Sequence, residues 1–228
     1  MVHKPQLLIF DVNETLLDLS PLKTAINGII NDDKAFDDWF NLLIQYALVE
    51  TVSGQFRDFG ELGKAALEMI SDKFQSQLSE EEIKTCLTKM THLPAHPDVE
   101  EGLQAFQKAG FEMAALTNGT LKVANEQLKS AEIDHYFDQV FSVEIVRKYK
   151  PHPDTYQYVL DQMNIPAGKA MLIAAHAWDI TGAQRAGLQT CFIARPGKVP
   201  YPLGGSPTLI AKNLSEASKV LASLNQSE

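Results

Sequence analysis

The sequence predicts an α/β fold, a doubly wound parallel sheet with an inserted all-helical cap. Short apolar runs bounded by turn signals alternate with stretches whose apolar residues recur three or four positions apart. That alternation is typical of parallel strands with helices on both faces of the sheet. One long interval near the N-terminus interrupts it and is helical in pattern throughout. A chain of 228 residues can bury a core of this kind without disulfides.

Apolar runs predict the strands, because strands that are covered on both faces read as continuous hydrophobic segments. Five of them are Gln6–Phe10, Phe111–Leu116, Gln139–Ser142, Ala170–Ala174 and Thr190–Ala194, and a sixth is expected near Thr208–Ala211. Amphipathic stretches between them predict the helices Val99–Lys108, Leu121–Ser130, Pro153–Met163 and Asp179–Ala186.

The interval from Leu19 to Leu93 predicts helices alone, the clearest being Asp37–Glu50, Phe59–Phe74 and Glu80–Met90. Ser79 and Glu82 form a capping box at the start of the last one. The helix-free stretch His92–Pro97 returns the chain to the sheet. We therefore expect a core domain of residues 1–18 and 94–228 and a cap domain of residues 19–93. A cap above the carboxyl end of the first strand would enclose a small substrate, which favours an enzyme.

Composition excludes several classes of function. The 20 Lys and Arg residues against 29 Asp and Glu residues give a net charge of −9, which disfavours nucleic acid and anionic membranes as partners. The N-terminal apolar stretch, Leu7–Phe10, is too short for a signal peptide, and no run approaches the ~18 apolar residues of a membrane span. Cys86 and Cys191 form neither a disulfide framework nor a zinc motif. We expect a cytoplasmic protein.

Polar residues follow four predicted strands at their carboxyl ends. The first group is Asp11–Leu16 (DVNETL), the second Thr117–Gly119 (TNG), the third contains Lys150, and the fourth is His176–Asp179 (HAWD). Because the carboxyl ends of parallel strands meet at one edge of the sheet, these groups are expected to lie together.

On these four groups, and on the cap between the first two, the chain resembles the haloacid dehalogenase (HAD) superfamily over nearly its whole length. The resemblance implies a Rossmann-like core. It also implies that Asp11 is the nucleophile, Thr117 the second-motif hydroxyl, Lys150 the superfamily lysine and Asp179 the fourth-motif acid. A carboxylate is a competent nucleophile when a cation and hydrogen bonds keep it ionised and oriented.

The substrate's anionic group would be held beside this carboxylate. Candidate donors are the Thr117 hydroxyl, the Asn118 amide and backbone N–H groups of the first turn, at Val12 and Asn13.

Two substitutions argue against the phosphatases that make up most of the superfamily. Their pattern has a second Asp two residues after the nucleophile, where this chain has Asn13, and an acid four residues before Asp179, where it has Ala175. An amide cannot deliver a proton as a carboxylic acid does, and alanine cannot ligate Mg²⁺. The chain is more similar to the L-2-haloacid dehalogenases, which use no metal, so we expect neither a metal nor a cofactor.

The resemblance to this branch extends to a possible base. Asp58-Phe59 and Ala177-Trp178-Asp179 resemble its motifs, and one subgroup pairs a fourth-motif His with a Glu, here His176 and Glu14. The implied partner is a short 2-haloalkanoic acid. Asp11 would displace its halide with inversion, and water activated by a neutral His176 would hydrolyse the ester to a 2-hydroxy acid. Related enzymes are often homodimers, so a homodimer is expected.

Aromatic residues are expected to line the pocket, at Trp39, Phe40, Phe59 and Trp178. At helical spacing such residues are equally typical of plain core. Spacing back from Phe59 puts Phe40 where many of these enzymes carry an arginine that holds halide or carboxylate.

Plainer interpretations stay open for single residues. Lys150 could be solvated, Asp179 could only cap the helix after it, Glu14 could be a helix-terminal carboxylate and His176 could be structural. The alternative functions are a phosphatase with a degenerate metal site and a non-catalytic HAD-fold protein that binds a small acid.

Overall fold

A parallel β-sheet forms the centre of the protein, in a computed structural model that describes residues 4–224. Its strands are β1 (Leu7–Phe10), β2 (Glu112–Thr117), β3 (Gln139–Ser142), β4 (Ala170–Ala174), β5 (Gln189–Ile193) and β6 (Leu209–Ala211). All neighbouring pairs are parallel, in the order β3-β2-β1-β4-β5-β6. The predicted strands, including the sixth, are confirmed with shifts of at most one residue at their ends.

The sheet order puts β1 at the switch point of the topology. From β1 the chain continues on one side to β2 and β3 and later returns to the other side through β4. Every residue of β1 and β4 is buried. Ligands of open α/β sheets bind beyond the carboxyl ends of the strands at such a point. The residues that follow β1 and β4 are therefore best placed to form a site.

Helices cover the sheet on both faces, as in a doubly wound fold. After the cap region they are α5 (Val99–Lys108), α6 (Leu121–Ser130), α7 (Pro153–Met163), α8 (Ala177–Arg185) and α9 (Leu214–Ser223). The first three have the predicted bounds. α8 begins at Ala177, two residues earlier than predicted, so Asp179 lies inside the helix and His176 is its N-cap. The interpretation of Asp179 as a helix cap is therefore wrong.

The region from Leu19 to Leu93 is helical, as predicted. It contains α1 (Ser20–Ile30), α2 (Ala35–Val52), α3 (Phe59–Phe74), α4 (Glu80–Leu87) and a 3₁₀ turn at Thr88–His92. Capping boxes begin α3 (Asp58 with Glu61) and α4 (Ser79 with Glu82). The predicted helix to Met90 ends three residues early, because the chain tightens into the 3₁₀ turn.

Two hydrogen bonds of Tyr149 help to join this helical region to the sheet's carboxyl edge. The backbone N–H of Tyr149 donates to Thr51 Oγ1 of α2 at 2.9 Å, and the Tyr149 hydroxyl donates to the Arg57 carbonyl oxygen before α3. The loop that carries Lys150 is thereby tied to the helices above it. The division into two domains remains a prediction, and the outermost residues of the expected core domain, 1–3 and 225–228, lie outside the described residues. No helix among residues 4–224 is long and apolar enough to cross a bilayer.

Candidate active site

Asp11 is the residue directly after β1. Its backbone N–H donates to the Ile173 carbonyl oxygen of β4 at 3.1 Å, so the register of the sheet continues one residue into the loop. Its side chain is almost fully buried. Oδ1 accepts a hydrogen bond from Lys150 Nζ at 2.8 Å, and Oδ2 accepts one from the Thr15 hydroxyl at 2.6 Å. The Thr15 hydroxyl itself accepts from the Ala175 N–H at 2.9 Å, which directs its proton to Asp11.

Lys150 is a buried cation held between two carboxylates. Its Nζ donates to Asp11 Oδ1 and Asp179 Oδ2, each at 2.8 Å, and to the Leu116 carbonyl oxygen of β2 at 3.0 Å. Three acceptors match the three protons of an ammonium group. The Tyr156 hydroxyl of α7 donates to the other oxygen of Asp179 at 2.5 Å. The interpretation of Lys150 as a solvated lysine is therefore wrong, since its side chain has no exposed surface.

Charge pairing overrides burial at this end of the site. Burial would raise the pKa of Asp11, but the Lys150 ammonium and the hydrogen bond from His176 hold it well below its usual range. Burial would likewise lower the pKa of Lys150, whereas the Asp11 and Asp179 carboxylates raise it. Asp11 is therefore an ionised carboxylate and Lys150 an ammonium, which is the state that a carboxylate nucleophile requires.

His176 bridges Asp11 and Glu14. Its Nδ1 lies 3.0 Å from Asp11 Oδ2 and its Nε2 lies 2.8 Å from Glu14 Oε2. The ring is stacked between Phe40 and Trp178, with centroid distances of 5.9 and 5.0 Å. The histidine and glutamate that the resemblance paired are thus in direct contact, and His176 also touches the nucleophile.

The protonation of His176 differs from the neutral imidazole that was expected. Burial would lower its pKa, but the hydrogen bonds and charges of Asp11 and Glu14 raise it to about 9. Both ring nitrogens then donate protons, and the ring is an imidazolium at neutral pH. In this resting state no lone pair is free to accept a proton from water.

Glu14 is a turn residue, with φ at 61°, rather than a helix-terminal carboxylate. Its Oε2 accepts from His176 and, at 2.7 Å, from Lys198 Nζ. Burial opposes ionisation of Glu14, and its contacts with His176 and Lys198 lower its pKa below the ordinary value. His96, predicted to be a linker residue, lies 3.2 Å from the Glu14 carbonyl oxygen through its Nε2.

The predicted anion-binding residues lie beside this network without bonding to Asp11. The Asn118 Oδ1 accepts from the Lys150 backbone N–H at 2.9 Å, so the amide nitrogen is the end left for a ligand. The Thr117 hydroxyl accepts from the Gly119 N–H at 3.0 Å and shapes the turn after β2. Val12 is buried, and its carbonyl oxygen accepts from the Leu16 N–H.

A cavity of about 150 Å³ lies between the helical region and the loops that carry Asn13 and Gly119. The role of Trp39 and Phe59 as a substrate-pocket wall remains a prediction: they line this cavity, whereas Asp11, Lys150 and His176 do not. Phe40 and Trp178 do not line it either; they enclose the imidazole of His176 instead.

Gln127 of α6 fixes the orientation of Asn13. Its Nε2 donates both to Asn13 Oδ1 at 3.0 Å and to the Met90 carbonyl oxygen at 2.8 Å. Since its oxygen is engaged, Asn13 presents its amide nitrogen as a hydrogen-bond donor.

The donor set does not fit Mg²⁺. Ala175 offers no side-chain oxygen, and the only side-chain oxygen of Asn13 already accepts from Gln127. The Asp11 oxygens face an ammonium and an imidazolium, and these positive charges oppose a bound cation.

Sequence reasoning assigned no role to Thr15, Tyr156 or Lys198. Thr15 stands within the first polar group, four residues after Asp11. Nothing in the sequence around Tyr156 indicates a role in the site, because its contact with Asp179 depends on how α7 packs against α8. Lys198 follows β5, and extending the search for polar residues to the end of that strand would have found it.

Comparison with known proteins identifies the family that this chain resembles. A protein-family model described as a haloacid dehalogenase-like hydrolase matches residues 5–187. (S)-2-haloacid dehalogenase 1 of Pseudomonas sp. (strain CBS-3) is 30% identical over 225 residues, which cover 96% of this chain and 97% of that protein. Haloacetate dehalogenase H-2 of Moraxella sp. (strain B) is 26% identical over 210 residues, covering 90% of this chain and 93% of that one.

The fold also matches solved structures. The L-2-haloacid dehalogenase from Xanthobacter autotrophicus superposes with a TM-score of 0.86 at 19% identity, covering 95% of this chain and 98% of that one. At this identity the likeness establishes the shared α/β fold with a helical region above it.

Proposed function

Because this chain belongs to the haloacid dehalogenase-like hydrolases, we propose that it hydrolyses short 2-haloalkanoic acids to 2-hydroxy acids without a metal. One observation carries the proposal: the ionised, buried carboxylate of Asp11 contacts both a fixed ammonium and the imidazole of His176. A nucleophile and a potential base are therefore assembled at the topological switch point of the sheet.

In the first half-reaction Asp11 attacks C2 of the substrate. A bond forms between a carboxylate oxygen and C2 while the carbon–halogen bond breaks, and the halide leaves with the electron pair. No proton is needed for this departure, so the amide at Asn13 is compatible with the step. Lys150 keeps the nucleophile ionised and oriented through its contacts with Asp11 and Asp179.

Alkylation changes the state of His176. Once Asp11 is an ester it carries no charge, so one of the two carboxylates that hold the proton on His176 is gone. The imidazolium can then lose its proton and become the neutral base that the second half-reaction requires.

In the second half-reaction neutral His176 takes a proton from water while the oxygen of that water attacks the ester carbonyl of Asp11. The tetrahedral intermediate collapses, the alkoxide takes this proton, and the 2-hydroxy acid leaves. Asp11 emerges as a carboxylic acid and returns its proton to His176 across the 3.0 Å contact. The resting carboxylate and imidazolium are thereby restored.

The candidate space for the substrate's alkyl chain is the cavity lined by Asn13, Trp39 and Phe59, which does not itself include Asp11. Its volume of about 150 Å³ favours acids with short alkyl chains, and Trp39 and Phe59 supply an apolar wall. The amide nitrogens of Asn118 and Asn13, the Thr117 turn and the first-turn backbone are the candidates to hold the substrate carboxylate.

The proposal extends to location and assembly. Cys86 and Cys191 are both free and buried, which suits a reducing compartment such as the cytoplasm. We expect a homodimer, as in related dehalogenases, and light scattering on the purified protein measures this directly.

The decisive experiment measures halide released from chloroacetate, bromoacetate and both enantiomers of 2-chloropropionate, with EDTA present. We expect release by the wild type and its loss in Asp11→Asn, with Asp154→Asn, which alters an exposed carboxylate, as the matched control. Release that survived Asp11→Asn would contradict the mechanism. If the folded wild type released no halide, assays on p-nitrophenyl phosphate with Mg²⁺ and thermal shifts with small acids would test the two alternative functions.

A further inference from the structure

Lys198 brings a cation to the place where the helical region supplies an aromatic ring. It follows β5, and its Nζ lies 2.7 Å from Glu14 Oε2 and 5.8 Å from the centre of the Phe40 ring. Its side chain is one-quarter exposed, so it joins the buried network to solvent. Phe40 in turn stacks on the His176 ring. The Lys198 ammonium therefore lies on the far side of two groups that contact the imidazole, Glu14 and Phe40.

A cavity of about 440 Å³ opens on the outer side of this pair. Glu14 and Lys198 line it, whereas His176 and Asp11 do not. Glu14 therefore separates the buried imidazole from a polar, solvent-connected space and contacts both.

Other cations line the same cavity but are bound elsewhere. Lys23 pairs with Asp37 at 2.8 Å, and both side chains are about half exposed. Arg195 pairs with Asp98 and donates to the Thr15 carbonyl oxygen. Among the cations that line this cavity, Lys198 is therefore the one whose charge acts on Glu14.

We propose that Lys198 is a positioning residue for the hydrolytic half-reaction, which balances the charge of Glu14 so that His176 can release its Nδ1 proton once Asp11 is alkylated. This inference rests on the proposed function. Nε2 keeps its proton in its 2.8 Å bond to Glu14. The proton that leaves for solvent is the one on Nδ1, which faces the ester instead of a carboxylate once Asp11 is alkylated, and it is the proton of the hydrogen halide formed overall. One proton leaves in each turnover, because the water that hydrolyses the ester brings two and they end on the product and on His176.

The charges around His176 support this assignment. Asp11 and Glu14 face its two nitrogens, while Phe40 and Trp178 cover its faces. Behind these lie two ammonium groups, that of Lys150 at 5.9 Å from the Trp178 ring and that of Lys198 at Glu14. The contact between His96 and Glu14 is to the backbone carbonyl of Glu14 and not to its carboxylate.

Loss of the Lys150 ammonium and loss of the Lys198 ammonium should affect different steps of the reaction. Without Lys150 the nucleophile itself would be affected. Without Lys198 the unbalanced Glu14 would hold the imidazolium more tightly, and only the hydrolytic step would suffer.

The test compares Lys198→Met with Lys23→Met, which removes the other lysine of the cavity. Single-turnover reactions with 2-chloropropionate follow halide release and the ester on Asp11, the latter by intact mass. We expect Lys198→Met to keep a stoichiometric halide burst and to accumulate ester. Its hydrolytic pH profile should move up by about one unit, which slows hydrolysis about tenfold at neutral pH. Lys198→Arg should restore the wild-type profile, and Lys23→Met should match the wild type.

A second readout does not depend on dehalogenation. NMR titration of the His176 ring should give a higher pKa in Lys198→Met than in the wild type. An unchanged titration, or a hydrolytic pH profile that does not move, would overturn the role of Lys198. If the ring titration shifts as expected but the wild type releases no halide, the proposed function fails while the electrostatic link from Lys198 to His176 stands.

Discussion

Nδ1 of His176 lies 3.0 Å from Oδ2 of Asp11, so the base and the nucleophile of the proposed reaction are hydrogen-bonded to each other before any substrate arrives. The contact stabilises the ionised carboxylate of Asp11 and keeps the imidazole of His176 protonated. The same pair of charges thus prepares the first half-reaction and postpones the second.

The buried ion pairs of Lys150 give a first prediction, on stability. Lys150→Met would leave Asp11 and Asp179 buried without their shared cation, and we expect a loss of about 3–5 kcal/mol in the free energy of unfolding. Lys148→Met is the control, because Lys148 pairs with Asp154 on the surface, where such pairs contribute about 0–1 kcal/mol. Urea denaturation measures both, and equal losses in the two variants would contradict this account.

The raised pKa of His176 predicts a pH-dependent stability. A group whose pKa is higher in the folded state stabilises fully below its unfolded value, and that stabilisation disappears as the pH rises through the folded value. For His176 the two values are 6.5 and about 9, so about 3 kcal/mol should be lost between them.

Urea denaturation at several pH values from 6 to 10 (about the span of the two pKa values) measures this loss. His176→Gln should lack this part of the slope, whereas His135→Gln, at an exposed histidine, should keep it. A wild-type curve that stays flat over this range would show that the imidazole is not held as a cation.

The third prediction concerns Gly182, where α8 meets the loop that carries Lys150. A Cβ at Gly182 would lie 2.4 Å from the Pro151 Cβ and 2.7 Å from the Tyr156 hydroxyl. Gly182→Ala should therefore shift the lysine, destabilise the fold by about 1–3 kcal/mol and lower turnover by up to about 100-fold.

The matched control is Gly28→Ala in α1, where nothing lies within 4 Å of the added methyl group. It should stabilise the protein by about 0.5–1 kcal/mol and leave halide release unchanged. Thermal denaturation and halide assays on both variants suffice, and a tolerated alanine at residue 182 would refute the tight packing described.

The smaller cavity predicts the chain length of the substrate. Gly63 lines it, and a Cβ there would sit 3.6 Å from Trp39 Cζ2, so Gly63→Ala would add bulk without a clash. We expect kcat/KM for 2-chlorobutanoate to fall about tenfold or more relative to chloroacetate. Chloroacetate is the control within the same variant, and an equal loss on both acids would place the alkyl chain elsewhere.

Most of the fold was predictable because its signals are local. The apolar spacing of Val99–Lys108 and Leu121–Ser130 predicts the first and last residues of both helices correctly. The end of α4 was not predictable in this way, since Met90 continues the helical pattern but belongs to a 3₁₀ turn.

The site was predictable as far as strand ends identify it. Asp11, Lys150, His176 and Asp179 converge as expected, because parallel strands deliver their carboxyl ends to one edge. Spacing along a helix gives the face on which Phe40 lies but not the ring of His176 opposite it. Nor does sequence alone give the charge of that ring, which depends on two carboxylates brought together by folding.

Gln127 couples any movement of the helical region away from the sheet to the turn that follows β1. Its one amide nitrogen holds the Met90 carbonyl above and Asn13 below, two residues after the nucleophile. Movement that carries Met90 away would break one of the two hydrogen bonds that hold this amide in place and would weaken the constraint on Asn13. Entry of substrate by such a route would therefore loosen the hold of Gln127 on Asn13, two residues after Asp11, and reclosure would restore it.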